Sequence, residues 1–83
     1  MDEMWLKCRV FPGNFHDERF LEYHSPFGRD VGVFVPADFV EGDLNSEGRV
    51  RVRVFQKGAE TWAVLPSEYS ESVAISHQDL SPA

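Results

Sequence analysis

Residues 49–55 read Arg-Val-Arg-Val-Arg-Val-Phe, with Val50, Val52 and Val54 on one parity and Arg49, Arg51 and Arg53 on the other. Successive side chains alternate across a strand, so this segment is predicted to be a strand with valines inward and arginines outward. Residues 4–11 alternate in the same sense, with Leu6, Cys8 and Val10 opposed to Trp5, Lys7 and Arg9. Residues 31–35 place Val31, Val33 and Val35 together, and Gly32 on the other parity leaves room for a neighbouring backbone or aromatic ring. A further strand is expected over 19–24, where both parities carry an aromatic and the inward face stays open, as it does over 60–65.

Proline and glycine punctuate the chain every eight to twelve residues, and no window sustains a 3.6-residue apolar period. Pro36 ends the third strand and starts a single helical turn over 37–40, with Phe39 a plug over one end of the core. An acidic loop over 41–48 and the arginine strand follow. Residues 56–59 form a hairpin connection in which Gly58 supplies a positive φ, and the strand over 60–65 pairs antiparallel with 49–55. Residues 66–72 form a polar turn, 73–76 a short strand, 78–80 a closing turn, and 81–83 a frayed tail. The expected core is Leu6, Val10, Leu21, Val31, Val33, Val35, Phe39, Val50, Val52, Val54, Val64, Ile75 and Leu80.

Five to six short antiparallel strands must hide their edges, which favours one small all-β barrel over residues 1–83, ordered over about 4–80. The strand spacing, long mid-chain loop, hairpin and final short strand resemble SH3-like small barrels, a likeness of fold that carries over no function. An OB-like barrel or a small two-sheet sandwich is the alternative. Eighty-three residues leave no room for a cofactor domain beside a substrate domain.

Charge is segregated. Residues 1–35 hold six acids and four bases, 36–48 four acids, 49–57 four bases and 58–83 four acids, for a net charge of −6. That balance repels nucleic acid and anionic lipid, so neither is an expected partner. One cysteine closes no internal disulfide, the opening segment lacks the apolar region of a secretory signal, and no apolar run reaches spanning length, so a cytoplasmic chain is expected.

Several groups carry chemistry-bearing residue types without a chemical spacing. His16, Asp17, Glu18, His24 and His77 fit no metal-ligand motif. Ser76, His77 and Asp79 are strand-end neighbours, whereas a nucleophilic triad converges from separate elements. Asp38, Glu41, Asp43 and Glu47 do not follow an EF-hand order and read as a solvated loop. Cys8 has Lys7 and Arg9 beside it, but in a strand both face away from the thiol. The expectation is therefore no catalysis, no metal and no cofactor.

The arginine strand remains. Arg49, Arg51 and Arg53 project at intervals of about 6.6 Å, suited to phosphates, to carboxylates gripped bidentately or to aromatic rings. As plain surface they pair with Glu60 or with the acids of 36–48. Trp5, Phe55 and Trp62 share the outer face and make it a binding surface for an unidentified protein or peptide. Single-stranded nucleic acid on the same stripe, or an acidic inhibitor imitating nucleic acid, are the alternatives.

Overall fold

The computed structural model describes residues 2–83. Its strands are β1 (Asp2–Pro12), β2 (Glu18–His24), β3 (Asp30–Pro36), β4 (Val40–Glu41), β5 (Ser46–Lys57), β6 (Glu60–Val64), β7 (Ser72–Ile75) and β8 (Leu80–Pro82). All pairings are antiparallel, in the order β3-β2-β1-β5-β6-β7, with β4 attached to β5 and β8 to β1. The sheet curls into a nearly closed small barrel, as the strand rhythm implies. Among the described residues no helix is long and apolar enough to cross a membrane.

The period-2 pattern decides what is inside. Leu6, Cys8 and Val10 of β1, Leu21 and Tyr23 of β2, the three valines of β3, and Val50 and Val52 of β5 are buried in one cluster. Val54, Phe39 and Leu80 are partly buried and pack against it. Val64 was expected in this core and is not there. The β5–β6 register sets Val64 opposite Arg53 and Ala63 opposite Val54, so the inward positions are Thr61, Ala63 and Leu65. A register fixes parity for a whole strand, so one pair places them all.

Strand ends also differ from expectation. Serine and proline suggested a frayed tail at 81–83, yet Pro82, Ser81 and Leu80 pair with Met4, Trp5 and Leu6. The 41–48 loop is shorter than expected, because Val40 and Glu41 pair with Val50 and Arg49, and β5 already starts at Ser46. Ala37–Phe39 forms the anticipated turn after Pro36, as a 3-10 helix. Gly58 takes φ +63 in the tight β5–β6 hairpin, whose last pair is Lys57 with Glu60.

Among the described residues no ladder seals the seam between the barrel's two terminal strands, β3 and β7. Side chains stitch one end of that seam: the Ser25 hydroxyl donates to the Ala74 carbonyl at 2.7 Å, the Tyr23 hydroxyl donates to Asp79 Oδ2 at 2.7 Å, and the Ser76 amide donates to the Tyr23 hydroxyl at 3.3 Å. Burial, reinforced by the bond to the Asp79 carboxylate, raises the Tyr23 pKa, so the phenol keeps its proton there.

Candidate binding surface

The β1–β5 ladder builds the outer face. Lys7 lies opposite Arg49, Trp5 opposite Arg51 and Glu3 opposite Arg53. Contacts run one step along the diagonal. Lys7 reaches Glu47 at 3.6 Å, the Arg49 guanidinium lies over the Trp5 ring at 4.4 Å, and Arg51 Nε reaches Glu3 Oε1 at 3.4 Å. The right-handed twist of paired strands brings such diagonal neighbours within reach of long side chains.

Each of the first two arginines holds a carboxylate and a ring. Arg49 donates to Glu41 Oε1 from Nη2 at 2.6 Å and from Nε at 3.0 Å, while resting on Trp5. Arg51 lies over the Phe39 ring at 5.1 Å while Glu3 takes its Nε. The short helix after Pro36 thus holds Phe39 against the core and under Arg51 together. Because Glu3 leans toward Arg51, Arg53 has no carboxylate within 4 Å among the described residues, and it is exposed.

Beside Arg51 and Arg53 lies a groove of about 260 Å³, whose other walls include Glu3, which is held by Arg51, and Phe39, Val64 and Pro66. Phe55 and Trp62 lie past the β1 ladder as a directly opposed pair on β5 and β6, their rings 6.4 Å apart and near parallel. Lys57 sits over Trp62 at 5.4 Å, and the indole Nε1–H donates to Glu60 at 3.4 Å. The six residues expected on this surface do share the outer face, in two groups: Trp5 with Arg49 and Arg51, and Phe55 with Trp62, with Arg53 between them along the strand.

Sequence reasoning placed acids of 36–48 as arginine partners, and Glu41 is one; Glu60 instead serves Trp62. It did not find Glu3 or the Phe39 ring. Both depend on register and on a tertiary turn, for which a single sequence carries no local signal.

The other constellations disperse. Ser76 Oγ accepts from the Gln78 amide, His77 Nε2 lies 2.8 Å from Thr61 Oγ1, and Asp79 accepts from Tyr23, so these three side chains address separate partners. Among the described residues no three His, Cys, Asp or Glu side chains gather as a metal ion requires. Cys8 is buried, with Lys7 and Arg9 exposed on the opposite face. Burial first, and the Glu47 carboxylate second, push its thiol up to about 12.

A second outer cluster went unread in the sequence. Phe11 opposes Phe20 and Phe20 opposes Phe34, with ring centroids 6.3 and 5.0 Å apart. A Cβ at Gly32 would stand 2.7 Å from Phe20 Cζ, so this glycine makes room for the ring.

No protein-family model matches the chain, and no curated protein or solved structure matches it either.

Proposed function

We propose that this protein is a non-catalytic interaction module that binds a carboxylate-bearing protein or peptide segment through its arginine and aromatic face. The observation that carries this reading is that Arg53, at the groove beside Arg51, Phe39 and Pro66, has no carboxylate partner among the described residues. A guanidinium without a carboxylate, next to one resting on a ring, offers bidentate donors and an apolar wall to the same incoming side chain. Arg49 and Arg51 act here as preorganised supports, since their rings and carboxylates limit their motion. The SH3-like layout serves as a rigid frame for this face, in a cytoplasmic setting where its lone thiol stays reduced.

Nucleic acid is the weaker reading on this geometry. With Glu41 and Glu3 already satisfying two arginines, one free guanidinium gives a slope of log affinity against log salt near −1, against an overall charge of −6. The experiment compares two probes at 150 mM salt by fluorescence anisotropy: a blocked Asp-Phe-Glu-Phe-Asp peptide and a 20-nucleotide single strand. The peptide should bind, and Arg53→Glu should weaken it at least about tenfold without unfolding the protein. Submicromolar nucleic-acid binding abolished by the same substitution would replace this reading with the nucleic-acid one. Unchanged peptide affinity would reduce the stripe to solvated surface.

A further inference from the structure

The seam between the barrel's terminal strands carries a separate surface. Among the described residues β3 pairs only with β2, and from Val31 to Val35 it has no charged residue. Edge strands are ordinarily blunted by lysines, bulges, internal proline, extreme shortness or a loop laid over them, and here the 66–71 turn stands off from the rim across a groove. β3 runs for seven residues and has only Asp30 and Pro36, at its two ends.

Across from its free rim lies the 66–71 turn, and a groove of about 180 Å³ separates them. Gly32, Val33 and Phe34 form one wall, and Ser67, Glu68, Tyr69 and Glu71 line the other. Ser25 closes the seam at the β7 end by its bond to Ala74, so the opening lies toward Phe34. Two aromatic side chains stand exposed at its mouth, Phe34 at 44% and Tyr69 at 80%. Two carboxylates and no cation line it.

We infer that this seam takes an extended basic segment of another protein as an added strand along β3. Backbone groups on the free rim of β3 supply the ladder, as in other strand-addition complexes. Glu68 and Glu71 select the charge, because cationic side chains on the incoming strand meet carboxylates in a partly enclosed site. Apolar side chains at alternate positions rest against Phe34 and Tyr69. The site is distinct from the arginine groove, since Pro66 and Ser70 of the turn face that groove while Ser67, Glu68, Tyr69 and Glu71 face this one.

The probe is a blocked heptapeptide of alternating lysine and valine, with its glutamate–valine counterpart as control, added to the full chain. The basic peptide should bind at least about tenfold more tightly than the acidic one. Glu68→Gln with Glu71→Gln should weaken it about tenfold while leaving the melting temperature within about 2 °C. Hydrogen exchange of β3 amides pointing away from β2 should slow at least about tenfold on binding. No binding, equal binding of both peptides, or binding that leaves β3 exchange unchanged would each overturn the proposal. So would β3 protection that rises with protein concentration in the absence of peptide, which would assign the rim to a second copy of the chain.

Discussion

The phenylalanine ladder and the arginine stripe occupy the same outer surface of one sheet, and both combine aromatic rings with cross-strand neighbours. In the ladder, Phe20 is flanked by Phe11 and Phe34 and fills the space over Gly32. Its ring-to-ring contacts close around Phe20, while Arg9 lies over Phe11 at one end and Phe34 reaches the seam groove at the other. In the stripe, Arg49 and Arg51 are each held by one ring and one carboxylate, and the series stops before Arg53. The difference teaches that exposure alone does not mark a binding residue. A ring flanked on both sides within the sheet, as Phe20 is, stabilises the fold, whereas a donor left over by a diagonal register is available to a partner.

Both regions rest on the same inner layer, so the largest effect comes from breaking that layer. Val52 is 2% exposed, and Val52→Asp would put an unpaired carboxylate among apolar side chains at a cost of several kcal/mol. That matches the whole stability of a domain this small, about 5 kcal/mol. Circular dichroism should show a largely unfolded chain with neither face formed.

Next comes the ladder itself. Phe20→Ala removes two ring contacts and uncovers Gly32, and should lower the urea unfolding free energy by about 2–3 kcal/mol. A loss under about 0.5 kcal/mol would make the ladder ornamental and erase the contrast with the stripe.

Alkaline titration sharpens the contrast from inside, through Cys8, beneath the stripe. Its folded pKa, about 12, lies above the ordinary value of 9.0, so the native state holds the proton more tightly than the unfolded chain. The associated stability is complete below about pH 9 and is lost between about 9 and 12, at up to about 1.4 kcal/mol per pH unit. Tyr23, also shifted upward, adds to the fall at the upper end. Urea melts across this range should show the decline, and Cys8→Ala should make it shallower.

The smallest effects belong to the stripe. Arg51→Ala loses a half-exposed ion pair and a ring contact and should cost under about 1 kcal/mol. Arg53→Ala, having no ion pair to lose, should change stability by less than about 0.5 kcal/mol. Thermal melts that rank Arg53→Ala as the costlier of the two would show that Arg53 has a structural role and would remove the argument for its availability.

Alternation by itself determined a great deal. Val50, Val52 and Val54 against Arg49, Arg51 and Arg53 set the inner and outer faces of β5, because a strand has period two whatever it pairs with. The same logic placed Leu6, Cys8 and Val10, and the valines of β3, in the core. Where the pattern was ambiguous, the tertiary structure decided. In β2 and β6 aromatic or apolar residues occupy both parities, and only pairing with a neighbour turned Leu21 and Tyr23 inward and Val64 outward. The 81–83 tail is polar and short, and became a strand because β1 offered it an unpaired rim. Which arginine of the stripe is left without a carboxylate among the described residues was likewise illegible. It depends on Glu3 lying opposite Arg53 yet reaching Arg51, and so on register and twist, which arise between strands far apart in sequence and leave no trace in the local order of either.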